Sequence, residues 1–374
     1  MATALGFGSL EQLPDLLAGL GRNILLVTGG ESFERSGAST AIAPMMRMYR
    51  VTRFWDFNPN PEYKDLLKGA RICQDAKADL VLAVGGGSVI DMAKLIAENR
   101  RSLSEVCEKD LFEQAPAGAA LPLIALPTTA GSGSEATHFA VLYVNGEKYS
   151  IASEDIRPLH VIVDPALTRS MSPHLTAVTG LDALAQAIES FWAVGATDES
   201  KIAARQAFRH ILPHIENAVH APTDEAREAM SLGAHWAGKA IDQSKTTGAH
   251  AMSYGMTSRF GIPHGHAVAL TLGHFMAFNA DVGPTDCTHP DGPEHVRQTL
   301  DELFSLLGAG SAETAREQWL SRMKTLGLPT RLETMGIPAE RIEELVGSLN
   351  LERAGNNPRL LNANTARELL LAAF

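Results

Sequence analysis

Through residues 1–165, short apolar runs rich in β-branched residues alternate with amphipathic stretches. The runs are NILLVT at Asn23–Thr28, DLVLAV at Asp79–Val84, LPLIAL at Leu121–Leu126 and HVIV at His160–Val163. Near-continuous apolar runs of this length predict strands buried on both faces, and their alternation with helical stretches predicts a parallel α/β sheet. Between the first two runs, Pro61–Ala78 sets Leu66, Leu67, Ala70 and Cys73 at helical spacing, with Pro61 in a favourable first-turn position. A crossover helix is expected there.

From about Leu175 the period changes. HLTAVTGLDALAQAIESFWAV, ESKIAARQAFRHILPHIENAV and EAREAMSLGAHWAGKAI all repeat at 3.6 residues with no strand-like run between them. The second half should therefore be all helical. The segment Asp164–Pro173, with prolines towards both ends, reads as a linker, dividing the chain into an α/β domain over 1–168 and a helical domain over 169–374. Asp281–Glu294 (DVGPTDCTHPDGPE) is rich in turn formers and reads as a surface loop, with amphipathic helices beyond it.

Composition narrows the function classes. The chain has 374 residues, 45% of them hydrophobic, enough for two domains each with its own core. Its net charge of −11 and its lack of Lys/Arg blocks argue against a nucleic-acid or membrane-surface partner, both of which ask for a basic patch. The cysteines, Cys73, Cys107 and Cys287, are odd in number and widely spaced, which fits neither a disulfide framework nor a thiolate metal cage and suits a reducing cytosol. The N-terminal stretch lacks a basic region followed by an apolar core, and no run is long enough to span a bilayer, so a cytoplasmic protein is expected.

Candidate chemistry sits at two kinds of place. Val84 runs into Gly85-Gly86-Gly87-Ser88, and Val89 to Lys94 then starts a helix. Glycines admit a close ligand and a helix N-terminus turns free N–H groups towards a phosphate, although the same loop would also serve as a tight strand-to-helix turn. A second loop, Pro127 to Thr137, is dense in hydroxyls and glycines and follows another strand. Two such loops after neighbouring strands predict a nucleotide crevice. In the helical half, Asp182 and Gln186 lie four apart on one helix face, with Glu189 on a neighbouring stripe. His250 is in a second helix, and His264 and His266 enter a third through Ile262-Pro263-His264-Gly265-His266. Carboxylate and imidazole are ligands for Zn²⁺ or Fe²⁺, but each histidine alone is more often an ordinary polar residue, as His160, His210, His214, His220 and His235 illustrate.

Taken together and in order, Gly85 to Ser88 with Asp91 and Lys94, Pro127 to Glu135, the Asp182 to Glu189 helix, and His250 spaced fourteen from His264 in a Pro-His-Gly turn resemble the iron-containing (group III metal-dependent) alcohol dehydrogenases over nearly the whole chain. The resemblance implies a dinucleotide-binding N-terminal domain, a helical dehydroquinate-synthase-like C-terminal domain and an active site in the cleft between them. It implies a pyrophosphate loop at Gly86, Gly87 and Ser88 with Asp91, a nicotinamide nucleotide at Thr128 and Thr129, and metal ligands at Asp182, His250 and His264. Gln186 falls where that family usually has a histidine, and Tyr254 where many relatives have a histidine that relays a proton; Tyr254 or His266 would fill that role. Lys148 is a further candidate for contact with the cofactor.

The activity implied is NAD(P)H-dependent reduction of a small-molecule aldehyde, with Fe²⁺ or Zn²⁺ as Lewis acid on the carbonyl oxygen, in a homo-oligomer. Phe57-Asn58-Pro59-Asn60-Pro61, Tyr143 to Tyr149, Gln186 and Ser244-Lys245-Thr246-Thr247 resemble in particular the phosphonoacetaldehyde reductase subgroup, which makes 2-hydroxyethylphosphonate. A phosphonate dianion needs cationic or N–H donors, and Lys245 and His138 are candidates to meet it. The alternatives are a reductase of small uncharged aldehydes, a metal-dependent lyase of the dehydroquinate synthase type, and a non-catalytic nucleotide sensor.

Overall fold

The structure, a computed structural model, describes residues 2–98, 120–145 and 147–374; Cys107 and Gly146, used above, lie outside the described residues. The chain forms two compact units, Met1–Met171 and Ser172–Phe374.

The first unit is built on a six-stranded parallel sheet of β1 (Ala2–Leu5), β2 (Asn23–Thr28), β3 (Arg50–Phe54), β4 (Leu80–Gly85), β5 (Leu123–Pro127) and β8 (His160–Val163), in the order β1-β8-β5-β4-β2-β3. The central strands β4 and β5 are buried at every position, as their unbroken apolar runs require, whereas the edge strands β1 and β3 are largely open. Successive side chains of a strand point to opposite faces, so the runs divide between two cores. Val81 and Ala83 pack on one face with Leu25, Val27 and Ala125, and Leu80, Leu82 and Val84 pack on the other with Ile24, Leu26 and Ile124. The crossover helix α1 (Tyr63–Asp75) delivers Leu66 and Cys73 to the first of these, and α2 (Gly87–Glu98) leaves β4 at the glycine loop. β6 (Phe139–Val144) and β7 (Glu147–Ala152) form a separate antiparallel hairpin.

The sheet order reverses at β2, which has β3 on one side and β4 on the other. Crossovers therefore leave in opposite directions, opening a crevice beyond the carboxyl ends of β2 and β4. The β4 glycine loop opens onto that crevice.

The second unit is helical among its described residues: α3 (Pro173–Trp192), α4 (Asp198–Ile211), α5 (Asp224–Ser244), α6 (Gly248–Phe260), α7 (His264–Ala280), α8 (Gly292–Leu306), α9 (Ala312–Thr325) and shorter helices beyond. Ser172 caps α3, its Oγ accepting from Leu175 N at 3.2 Å, with Pro173 at the first helical position. From Thr176 onwards α3 is buried nearly all round, which makes it the central helix of the unit. The proline-bounded segment after β8 is a 3-10 turn, Pro165–Thr168, held by the Asp164 carboxylate, which accepts from Ala166 N at 3.0 Å and Leu10 N at 3.1 Å. The turn-rich stretch from Asp281 ends sooner than expected, at Asp291, where α8 begins.

One buried titratable group in this unit reports on its packing. His274 of α7 is 7% exposed, and burial, with Arg316 adding to it, pushes its imidazole down to about 4. The folded chain thus keeps it neutral, while the unfolded chain takes up a proton near pH 6.5. Its contribution to stability is complete above that pH and is lost as the pH falls from 6.5 towards 4, by at most about 3 kcal/mol. We expect denaturant midpoints measured at pH 7 and pH 5 to fall less between the two for His274→Gln than for the parent chain.

Candidate metal centre and nucleotide loops

The nucleotide loops come first in the chain. β4 ends at Gly85 and α2 starts at Gly87. A Cβ on Gly85 would lie 2.5 Å from Val89 Cγ2, and one on Gly87 would lie 2.5 Å from Ser132 Oγ, so both positions need glycine for space. Gly86 faces Thr129, whose Oγ1 would be 3.1 Å from a Cβ there, and Thr128 N donates to Gly85 O at 3.0 Å. The two loops singled out in the sequence are thus packed against each other, with the first turn of α2 behind them. Ser88 Oγ accepts from Asn60 N at 3.3 Å, which ties in the Asn-Pro segment before α1.

Two charged residues of α2 brace the second loop. Asp91 accepts from Ser134 Oγ and, at 3.1 Å, from Val141 N, and burial raises its carboxyl above the usual range despite Lys94 nearby. Lys94 is fully buried and donates to Thr137 O, Thr137 Oγ1 and Phe139 O at 2.8–2.9 Å. Lys148, on β7, is half-buried and close enough for its charge to act on Asp91. His138 is half-buried, edge-on to Phe139 at 5.8 Å between ring centroids.

In the second unit, Asp182 and Gln186 face one another one turn apart on α3, Gln186 Nε2 donating to Asp182 Oδ2 at 3.3 Å. His250 comes from the first turn of α6 and His264 opens α7. One ligand atom from each of Asp182, His250 and His264 lies within 4.8 Å of the others. Gly265 makes this convergence feasible: a Cβ there would collide with Val178 O and Asp182 Cβ, so only glycine lets the start of α7 press onto α3. The rings of His250 and His264 meet at 5.4 Å and 70°. Among the described residues, His250 Nε2 and Gln186 Oε1 are buried with no hydrogen-bond partner, and His250 Nε2 is 3.5 Å from Asp182 Oδ1. Buried lone pairs left in this way around a carboxylate and two imidazoles fit a divalent metal ion.

Glu189 orients this cluster. It is 0% exposed; Oε1 accepts from Thr247 Oγ1 at 2.7 Å and Ala249 N at 2.8 Å, while Oε2 pairs with His250 Nδ1. With Nδ1 donating to Glu189, Nε2 is left as the ligand atom. Burial opposes charge on both partners. The His250 imidazole is nevertheless held above its ordinary range by Glu189 and Asp182, and the Glu189 carboxyl below its own by His250 and Thr247. Thr247 Oγ1 in turn accepts from Trp192 Nε1 at 2.9 Å, and Ser253 Oγ is 3.3 Å from His264 Nδ1.

Sequence reasoning set Glu189 on a neighbouring stripe and missed its part, although two full turns separate it from Asp182 and put both on one side of α3. Of the other expected residues, Tyr254 is half-buried one turn after His250. His266 is buried, its Nε2 donating to Pro329 O at 2.7 Å. Lys245 is exposed at the end of α5. A second group, His289, Asp291 and His295, is more open, and His289 Nδ1 already accepts from Asp291 N at 3.2 Å.

Residues 2–165 match the family described as iron-containing alcohol dehydrogenase, and residues 176–374 match the C-terminal region of the Fe-containing alcohol dehydrogenase family. The chain belongs to the iron-containing alcohol dehydrogenase family. Members of this family are NAD(P)-linked oxidoreductases, and the chain is accordingly an alcohol dehydrogenase or aldehyde reductase. It is 32% identical over 316 residues to a phosphonoacetaldehyde reductase of Streptomyces viridochromogenes, covering 80% of this chain and 78% of the relative. It is 30% identical over 358 residues to long-chain-alcohol dehydrogenase 1 of Geobacillus thermodenitrificans, covering 91% and 86%. Among solved structures, the sulfoacetaldehyde reductase from Bifidobacterium kashiwanohense in complex with NAD⁺ superposes with a TM-score of 0.88 at 31% identity, covering 100% of this chain and 96% of that one. No helix among the described residues is long and apolar enough to cross a membrane.

Replacing Glu189 by Gln keeps an acceptor for Thr247 and Ala249 but removes the charge behind His250. We expect Glu189→Gln to weaken Zn²⁺ binding by about 10–100-fold, read by competition with a chromogenic chelator, with the helical circular dichroism retained. Unchanged metal retention would show that the Glu189 contact does not tune the ligand.

Proposed function

We propose that this enzyme reduces phosphonoacetaldehyde to 2-hydroxyethylphosphonate in the cytoplasm, as a homo-oligomer using NADH or NADPH. The observation that carries the reading is the Asp182, His250 and His264 cluster with its buried, unpartnered His250 Nε2, in a chain whose relatives include a phosphonoacetaldehyde reductase and a sulfoacetaldehyde reductase. Both names denote a two-carbon aldehyde bearing an acid group, so an anionic tail next to the carbonyl is the common chemistry.

In this reading, Asp182, His250 and His264 would hold a divalent metal, with Gln186 Oε1 as a weaker fourth donor. When bound, that ion supplies a Lewis acid for the carbonyl and the nicotinamide supplies the hydride. The chain's own residues position and protonate. Glu189 fixes the His250 tautomer, and Tyr254, half-buried one turn along α6, would pass a proton to the product oxygen in place of the tightly held His266. Gly86, Gly87 and Ser88 at the start of α2 would take the pyrophosphate, and Thr128, Thr129 and Lys148 the rest of the nucleotide. Asp91 would act through the loop it braces. Lys245, with His138, would meet the phosphonate.

The test is a steady-state assay of the metal-loaded enzyme with phosphonoacetaldehyde and with propanal, using each dinucleotide. We expect kcat/KM for phosphonoacetaldehyde to exceed that for propanal by at least about 10-fold, since a charged pair lost from a binding site is worth that much or more. Equal or better use of propanal would remove the phosphonate assignment and leave a reductase of uncharged aldehydes.

A further inference from the structure

Lys245 has a backbone that its side chain does not favour. Its φ of 60° and ψ of −179° lie in a region that is almost exclusively glycine's, and it stands where α5 ends, its N–H donating to Ile241 O at 2.9 Å. A glycine there would adopt this shape freely. A lysine holds this shape only because the neighbouring structure enforces it.

The enforcing contacts are specific. Asn356 Nδ2 donates to the carbonyls on either side of Lys245, Ser244 O at 2.8 Å and Thr246 O at 3.0 Å. Asn356 is itself anchored, because its Oδ1 accepts from Gly195 N at 2.9 Å and its main-chain O accepts from Val194 N at 3.0 Å. Ser244 Oγ lies 2.9 Å from Lys245 O. Two residues on, Thr247 is pinned by Trp192 and by Glu189, the carboxylate behind His250. The connection from α5 to α6 is thus clamped on both sides of one exposed lysine, in the segment that leads directly to the metal-ligand helix.

We propose that Asn356 is a positioning residue for the anionic end of the substrate: by holding the Ser244 and Thr246 carbonyls, one on each side of Lys245, it presents that ammonium group to a phosphonate or sulfonate. This rests on the reading of Lys245 as the phosphonate's partner, and it can be tested without phosphonoacetaldehyde.

The experiment measures inhibition of propanal reduction by methylphosphonate in the metal-loaded enzyme. The quantity read is the methylphosphonate Ki divided by the propanal KM. We expect this ratio to rise roughly ten-fold or more in Lys245→Met and in Asn356→Ala. Adding Asn356→Ala to Lys245→Met should raise it no further, because Asn356 acts through the lysine. Should Asn356→Ala fail to fold, Asn356→Leu carries the same reading, since it keeps the size and loses the two donors to the Ser244 and Thr246 carbonyls without adding a charge beside Lys245. The proposal is overturned if the parent enzyme is not inhibited by methylphosphonate, or if the Asn356 variants lose kcat or melting temperature with the ratio unmoved, the mark of a merely structural clamp. Methylphosphonate inhibition that depends on Lys245 and Asn356, together with no preference for phosphonoacetaldehyde over propanal, upholds the clamp and removes the proposed substrate. Tighter binding of methanesulfonate than of methylphosphonate upholds the clamp and moves the tail to a sulfonate.

Discussion

A carboxylate with no access to water costs several kcal/mol unless every lone pair it presents is met. Glu189, at the centre of α3, meets that condition by drawing donors from the Thr247 hydroxyl, the Ala249 amide and the His250 ring. Those donors lie on the end of one connection and the first turn of the next helix, so the position of α6 along α3 is set by a charge and not by apolar packing alone. A slide of α6 by one residue would strand the carboxylate. The same requirement aims His250 Nε2 towards Asp182, and with Gly265 admitting α7 onto α3 it brings three ligand atoms together from three helices. Pinning Thr247 also fixes the far end of the strained Lys245 segment, so that segment and the candidate metal cluster share one framework.

The first unit answers a different constraint. Its glycine loop has to stay close to the Thr129 and Ser132 side chains, which leaves no room for a Cβ at Gly87 and none at Gly85 against Val89. Rigidity in a loop so poor in side chains must come from outside it. Asp91 and Lys94, on the helix that leaves the loop, supply it by bonding to the Ser134 to Val141 stretch. Lys94 sets a buried ammonium among three neutral acceptors, so each of its three donors is met.

What could be read from the chain follows from where physical signals are local. β2 and β8 fall on the expected residues because an apolar run both makes the strand and marks it, and β4 and β5 are displaced by only one or two residues. The edge strand β3, RVTRF, escaped notice because its side chains are half exposed and polar, and β1 because four residues carry no period. The hairpin β6–β7 was missed although its signal is local: Phe139–Val144 (FAVLYV) is an apolar, β-prone run, and the Asn145-Gly146 pair that follows it is a turn signal. At the site, the Asp182, His250 and His264 set was legible only through resemblance to a family. Spacing within one helix says nothing about which helices meet. Asn356 lies 111 residues from Lys245, and no periodicity could have joined them.

The amide at position 186, where the family resemblance implies a histidine, would change the chemistry of the proposed centre. An imidazole there would complete a set with three nitrogen donors and one carboxylate. Gln186 keeps a donor for Asp182, through Nε2, and offers a neutral oxygen instead. With Gln186 as the fourth donor we propose, two nitrogens and two oxygens would form a harder set, one that discriminates less between first-row divalent ions, and the metal taken up would depend more on supply than on the ligands. Charge balance survives the change because it never depended on that position. The two buried carboxylates, Asp182 in the cluster and Glu189 behind it, would carry the two negative charges that a divalent ion neutralises.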